Sequence, residues 1–385
     1  MTTDEQYIRK ALDLARAGVG LVSPNPAVGA VVVDTSGRQV GAGTHTYDGV
    51  KHAEVLALQQ AGVAARGATL YLNLEPCSHQ GRTGPCADVV IAAGIGRVVC
   101  SMEDPNPQVA GKGFAKLRAA GIKVEVGLLQ AEARKLNESF AKYIRLGKPL
   151  VTLKSAMTLD GKIADATKPG VEPGSSAPAT EGARSGYHWI TGEVARAHVQ
   201  QLRHQHDAIL AGVGTVMADD PLLTDRSGLP RRRKLLRVIL DSYLRVPLTS
   251  RVIQTADKDV LVLCSSAEEQ NKQALEAKGI RVLQIAATTD GRPDFAAISE
   301  TLGKLEITSL LIEGGALVNG AALSSGEVDK VFLYYAPKIF GDGAVPFIAG
   351  ESLHGRVQCV QRFELHRFGE DFAVEGYLRD PYTGA

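Results

Sequence analysis

The chain has 385 residues, 44% of them hydrophobic and 22% charged, with a formal net charge of +1. That length suggests two domains, and the composition is that of an ordinary globular protein. A near-zero net charge supplies no general attraction for nucleic acid or an anionic membrane, and no run of about 18 apolar residues marks a membrane span.

Thr3-Asp4-Glu5-Gln6 has the form of a capping box, and Ile8, Ala11, Leu12 and Ala15 follow at helical spacing. This reads as an acidic helix start rather than a signal peptide. Ser23-Pro24-Asn25-Pro26 is a rigid loop. Strand-like runs at 28–33 and 39–43 flank the turn Asp34-Thr35-Ser36-Gly37. A helix opening at His52 and stopped by Gly62 comes next, then a strand over 68–74, a helix over 87–93 and a strand over 97–102. After Glu103-Asp104-Pro105-Asn106-Pro107 come a helix ending near Gly121, a strand over 122–126, and a helix through Phe140 and Tyr143 that stops at Gly147. Strands alternating with helices predict a layered α/β domain over 1–146.

A second domain is expected over 149–385. It opens on the β-like Leu150-Val151-Thr152-Leu153, and residues 164–186 form a Pro/Gly/Ser-rich stretch without periodicity, read as a loop. The chain then alternates again. A helix is expected over 194–204, with strands at 208–211, 237–240, 260–263, 281–283, 309–312 and 331–335, a mainly parallel pattern.

The chemistry-bearing signal is His52-Ala53-Glu54, followed by Pro76-Cys77 and then Cys86. One imidazole and two thiolates make three zinc ligands, and three protein ligands leave a fourth position open, as in catalytic rather than structural zinc. Glu54, two residues from the histidine, is free to shuttle protons. The layout is that of zinc deaminases acting on nucleobase-like rings. Eight residues separate the two cysteines, against the two of the common deaminase pattern. This insert carries His79 and Arg82, and reads either as an anion-binding loop or as a solvated one. Five cysteines, an odd number, argue against a disulfide framework and for a reducing cytoplasm. Cys100, Cys264 and Cys359 read as inert core residues.

In the second domain three glycine turns follow strand-like runs: Gly212-Val213-Gly214-Thr215, Glu313-Gly314-Gly315 and Gly341-Asp342-Gly343. Glycines at strand ends let a ligand approach the backbone, yet simple tight turns look the same. Neither the dinucleotide fingerprint nor the Walker pattern is present. Trp189, the only tryptophan, either stacks on a planar ring or anchors the preceding loop. The residues alone reach a ligand-binding α/β domain.

Taken together, the motifs resemble those of the bifunctional riboflavin-biosynthesis deaminase–reductases. The resemblance rests on Pro24-Asn25-Pro26, His52-Ala53-Glu54, Pro76-Cys77-Ser78-His79 through Pro85-Cys86, and Asp104-Pro105-Asn106-Pro107. In the second half it rests on Met157-Thr158-Leu159-Asp160-Gly161-Lys162, Trp189-Ile190-Thr191, the Gly212–Asp220 segment and Glu313-Gly314-Gly315. It implies a cytidine-deaminase-like α/β/α domain followed by a dihydrofolate-reductase-like α/β domain. It implies loss of an amine from a diaminopyrimidinone ribosylamino 5′-phosphate, then reduction of the ribosyl group to ribityl by NADPH. One Zn2+ would sit on His52, Cys77 and Cys86, with Glu54 catalytic. Asn25, His45, His79, Asp104 and Asn106 would bind the deaminase substrate. Met157, Trp189, Thr215, Asp219, Ser242 and Gly315 would bind NADPH, and Tyr187, Arg203, Leu223, Arg226 and Glu313 the substrate of the reductase, with Lys154 beside them. A cytoplasmic homo-oligomer acting on a small molecule, without nucleic acid or membrane, is expected. Two local departures stand out: Tyr187 replaces the family's serine, and the stretch before it is longer. A deaminase with a ligand-binding but non-reducing second domain, and a nucleic-acid-editing deaminase, are the competing readings.

Overall fold

The computed structural model describes residues 2–80, 84–165, 189–350 and 357–383. Contacts divide the chain into two compact units, Met1–Lys148 with Pro230–Arg233 and Pro381–Ala385, and Pro149–Leu229 with Lys234–Asp380.

In the first unit, helix α1 (Thr3–Ala17) leads into the hairpin β1 (Gly29–Val33) and β2 (Gln39–Thr44), then α2 (Ala53–Ala61), β3 (Thr69–Leu72) and α3 (Cys86–Ala92). Strand β4 (Arg97–Cys100), helix α4 (Lys112–Ala119), strand β5 (Lys123–Val126) and helices α5 (Gln130–Leu136) and α6 (Glu138–Leu146) complete it. The sheet order is β2-β1-β3-β4-β5, with β1 antiparallel to both neighbours and β3, β4 and β5 parallel.

The capping box exists, one residue earlier than expected. Thr2 Oγ1 accepts from the Glu5 amide at 3.2 Å, and Glu5 Oε2 accepts from the Thr2 amide at 2.7 Å. A carboxylate complements the positive end of the helix, which the Gln6 amide at the expected register does not. The helix expected through Phe140 and Tyr143 is α6, which stops at Gly147; Asn137 separates it from α5, which was not expected, and the Asn137 side chain accepts from the Ala27 amide at 2.8 Å and donates to the Ala27 carbonyl at 3.1 Å.

Helices cover both faces of this sheet. A Cβ on Gly29 would come 2.1 Å from the Ala11 carbonyl of α1, and one on Gly43 would come 2.2 Å from the Ala53 carbonyl of α2. Gly29 and Gly43 face opposite sides, because Gly43 pairs with Ala30. Gly43 thus lets the first turn of α2, which carries Glu54, lie directly on β2.

The second unit begins with β6 (Leu150–Thr158), longer than the sequence suggested, and β7 (Lys162–Ala164). Next come α7 (Glu193–Gln205), β8 (Ala208–Gly212), α8 (Val213–Asp219), β9 (Leu236–Leu240), α9 (Arg251–Gln254), β10 (Val260–Cys264), α10 (Glu269–Glu276) and β11 (Arg281–Gln284). The unit ends with α11 (Phe295–Lys304), β12 (Ser309–Ile312), α12 (Ala316–Ser325), β13 (Lys330–Ala336), β14 (Val345–Pro346), β15 (Gln361–Phe368) and β16 (Asp371–Tyr377). Its main sheet runs β11-β10-β9-β8-β12-β6-β13-β16-β15. It is parallel from β11 to β13 and antiparallel in the last two pairings.

Alternation along the central strands serves two cores. Leu210, Val238 and Leu263 pack with Phe295, Ile298 and Leu302 of α11 on one face. Ile209, Ile239 and Val262 pack with Val216, Val252 and Leu275 on the other. Burial on both faces is why these strands read as continuous apolar runs. Cys100 and Cys264 are buried as expected, whereas Cys359 is exposed on the approach to β15 and is not a core residue. Among the described residues no helix is long and apolar enough to cross a membrane.

Candidate active sites

In the first unit three elements converge. His52 is the N-cap of α2, Cys77 follows the end of β3 through Pro76, and Cys86 is the first residue of α3. One ligand atom from each lies within 4.8 Å of the others. His52 Nδ1 is 3.1 Å from Cys86 Sγ and 3.6 Å from Cys77 Sγ, and the Cys86 amide donates to Cys77 Sγ at 3.3 Å. The Cys86 thiol, its backbone N–H and the neighbouring imidazole together hold Cys77 well below the usual thiol range, despite burial. Cys86 moves the opposite way, because Cys77 holds the charge beside it. The contact with Cys77 raises His52.

Glu54, in the first turn of α2, is 3% exposed, and its Oε2 is buried with no hydrogen-bond partner among the described residues. Burial pushes its carboxyl up to about 7. A buried acceptor left open is costly unless something absent from the protein itself occupies the space in front of it. Two sulfurs and an imidazole nitrogen in contact, with an open carboxylate oxygen beside them, fit a tetrahedral zinc with one position free.

The expected substrate residues fall in two groups. Asn25 Nδ2 donates to His45 Nε2 at 3.0 Å, while His45 Nδ1 donates to the Lys51 carbonyl at 3.0 Å. That carbonyl, next to His52, fixes the tautomer, and the His45 ring stands edge-on to His52 with centroids 5.2 Å apart. Asp104 and Asn106 share a turn: Asp104 Oδ1 accepts from the Asn106 amide at 2.8 Å, and Asn106 Oδ1 accepts from the Gln108 amide at 3.0 Å. Burial raises the Asp104 carboxyl to about 6. His79 is exposed, and Arg82 lies outside the described residues.

In the second unit Glu313, just past β12, is the centre. Arg203 of α7 grips it with two bonds, Nε to Oε1 at 2.7 Å and Nη2 to Oε2 at 3.1 Å. Lys154 of β6 adds a third contact at 3.3 Å. Burial opposes ionisation of Glu313, but the Arg203 and Lys154 charges and hydrogen bonds outweigh it and hold the carboxyl at about 2. Arg203 also donates to the Thr224 carbonyl at 2.9 Å. The Arg226 amide donates to Gln200 Oε1 at 3.0 Å, and His204 meets Asp225 Oδ2 at 3.1 Å. Three residues of α7 therefore hold three successive residues of the segment that carries Leu223 and Arg226. Leu223 itself is buried with φ +54°.

Gly212, at the end of β8, and Gly315, three residues past the adjacent β12, are the N-caps of α8 and α12, and neither helix has a side-chain cap. A Cβ on Gly315 would come 3.3 Å from Thr215 Oγ1, which sets Thr215 beside that turn. Asp219 is the exposed last residue of α8, Ser242 follows β9 with its carbonyl accepting from the Ser266 amide at 2.9 Å, and Met157 is buried in β6. Trp189 is 62% exposed, with the Arg196 guanidinium 5.0 Å above its ring. Tyr187 lies outside the described residues. The structure thus joins Arg203 to Glu313 and sets Thr215 beside Gly315.

Sequence reading missed Glu75, Gln200 and the His204–Asp225 pair. Only Glu75 left a signal, a carboxylate inside the apolar run Leu70-Tyr71-Leu72-Asn73-Leu74 leading to Pro76-Cys77.

Comparison with known proteins agrees with this division. The family of the cytidine and deoxycytidylate deaminase zinc-binding region matches residues 1–102, and that of the RibD C-terminal domain matches residues 149–374. The chain is 41% identical over 372 residues to the riboflavin biosynthesis protein RibD of Aquifex aeolicus, covering 96% of this chain and 97% of the relative. It is 42% identical over 352 residues to that of Escherichia coli, covering 89% of each. The solved structure of Acinetobacter baumannii RibD matches with a TM-score of 0.79 at 36% identity, covering 97% of this chain and 98% of the other. A Thermotoga maritima structure, described as a diaminohydroxyphosphoribosylaminopyrimidine deaminase/5-amino-6-(5-phosphoribosylamino)uracil reductase, matches at 0.76 and 35%, with the same coverage. Both halves and nearly the whole length are accounted for at once: the chain belongs to the RibD family of riboflavin biosynthesis, bifunctional enzymes with a zinc-dependent deaminase and an NADPH-dependent reductase.

Proposed function

We propose that residues 1–146 deaminate 2,5-diamino-6-ribosylamino-4(3H)-pyrimidinone 5′-phosphate and that residues 149–385 reduce the ribosyl group of the product to ribityl. The open Glu54 Oε2 beside the His52–Cys77–Cys86 cluster carries the first half. Those three residues would hold zinc, which supplies Lewis acidity that makes water nucleophilic. Glu54 takes a proton from water and delivers one to the departing amine, so water is consumed and ammonia leaves. Asn25 and His45 on one side, and Asp104 and Asn106 on the other, orient the pyrimidine and its ribosyl group. His79 belongs to the same set.

In the second half NADPH supplies the hydride. The uncapped N-terminus of α12 at Gly315 suits its phosphates, and Thr215 lines the same turn. Met157, Trp189, Asp219 and Ser242 complete the cofactor set. Arg203 is held by Glu313, and with Arg226 it presents positive charge to the substrate phosphate. Leu223 and Tyr187 complete this set. The expected setting is a cytoplasmic homo-oligomer acting on a small molecule.

Glu54→Gln tests the first half. The variant should keep one zinc per chain while ammonia release falls by about 10²–10⁴-fold, the usual worth of a positioned acid–base group. Ammonia release near the wild-type rate would remove Glu54 from the reaction.

A further inference from the structure

Glu75 is two residues before Cys77 and 3% exposed. Among the described residues its carboxylate meets three backbone N–H groups and no cation. Oε2 accepts from the Asp104 amide at 3.1 Å and from the Gly111 amide at 2.9 Å, and Oε1 accepts from the Phe114 amide at 3.1 Å. A buried carboxylate needs several donors to offset lost hydration, and here all of them come from one stretch of chain 29 to 39 residues away.

Two of those donors belong to the start of α4, whose own N-cap, Gly111, has no side chain to cap it. Glu75 therefore does from outside what a capping residue does from within, and the positive end of α4 favours its charge. The third donor, Asp104, has no part in capping. It lies at the other end of the loop, so the carboxylate pins both ends of residues 104–111. Inside that loop, among the described residues, Asn106 is held by near neighbours alone: by Asp104 Oδ1 on its amide, by the Gln108 amide on its side chain, and by the Val109 and Ala110 amides on its carbonyl.

The same contact fixes the loop against the cluster. A Cβ on Gly113 would come 2.0 Å from the Pro76 carbonyl, so α4 sits directly on the backbone that leads into Cys77. With both of its oxygens engaged, Glu75 offers nothing to a ligand. We propose that Glu75 is a positioning residue for deamination: it sets Asp104 and Asn106 at a fixed distance from Cys77, so that the substrate ring is held in register with the ligand cluster. This rests on the assignment of Asp104 and Asn106 to the substrate made above. Loss of that fixed spacing weakens binding of substrate and transition state alike, which raises KM with little change in kcat.

The test is steady-state ammonia release by the full-length, zinc-loaded protein with Glu75→Gln, Asn106→Ala and both together. Glu75→Gln keeps the shape but presents an amide N–H to groups that can only donate. KM should rise about tenfold or more while kcat stays within about threefold and zinc stays at one per chain. In the double variant KM should rise no further than in the more affected single variant, because the two act through one loop. Glu75→Asp, which withdraws the charge by one methylene, should shift KM in the same direction by less, and serves if Glu75→Gln does not fold. A KM unchanged in Glu75→Asp and Glu75→Gln, loss of zinc, or additive effects in the double variant would overturn the proposal. An unchanged KM in Asn106→Ala alone would instead remove the substrate assignment, and the proposal with it.

Discussion

The two candidate sites treat buried charge in opposite ways. Around His52 the polar atoms are crowded: two sulfurs and a ring nitrogen touch, and among the described residues Glu54 Oε2 has no hydrogen-bond partner. Around Glu313 everything is matched, with both carboxylate oxygens taken by Arg203 and one shared with Lys154. The open oxygen in the first cluster is an acceptor that a ligand can use. The saturated second cluster holds the Arg203 and Lys154 side chains in place. The first should therefore fail by losing chemistry without losing the fold, and the second by losing the fold locally as well as the chemistry.

The largest effect that separates them is on activity. Cys77→Ala leaves two of the three ligands, so zinc content should fall and ammonia release should drop by more than about 10³-fold. Reduction of the already deaminated intermediate, measured separately, should stay within about twofold. An equal loss of both activities would dissolve the distinction between the sites.

Next comes Glu313→Gln. It leaves Arg203 and Lys154 without the charge that compensates them, and breaking a buried pair costs about 3–5 kcal/mol. Urea unfolding should show that loss in one transition, with reduction abolished and ammonia release retained. An unchanged unfolding curve would mean that the cluster adds nothing to the fold.

The smallest effect is in the pH dependence. Glu313 is held at about 2 when folded, against an ordinary 4.5. Folding therefore gains from this group fully above about pH 4.5, and the gain disappears as pH falls toward about 2. Its size is roughly 3 kcal/mol by linkage. Glu313→Gln should flatten that part of the stability profile. A slope preserved in the variant would assign it to other carboxylates.

What could be read from the sequence follows the same divide. The deaminase cluster was legible because it consists of distinctive side chains in a fixed order on element ends, His52 at a helix start and Cys77 at a strand end. The glycine turns showed in the residues only as possible ligand turns, and Arg203 and Glu313 were singled out only through resemblance, because a site lined by backbone N–H groups leaves few residue types behind. Glu75 escaped because its partners are amides of Asp104, Gly111 and Phe114, which any residue but proline supplies. The junction of α5 and α6 at Asn137 depends on Ala27, far away in the chain. The hairpin β15–β16 was not foreseen, since β15 is exposed along most of its length and shows no alternation of burial. The capping box was placed one residue late because Thr2 and Thr3 both fit the pattern, and only Glu5 over Gln6 decides between them.

The most direct test follows ammonia release and NADPH oxidation together, in one cuvette, with zinc-loaded protein and the diaminopyrimidinone ribosylamino phosphate. One ammonia should appear per substrate, followed by consumption of one NADPH. Ammonia with NADPH untouched would contradict the reductase half of this account, and neither signal would contradict the whole of it.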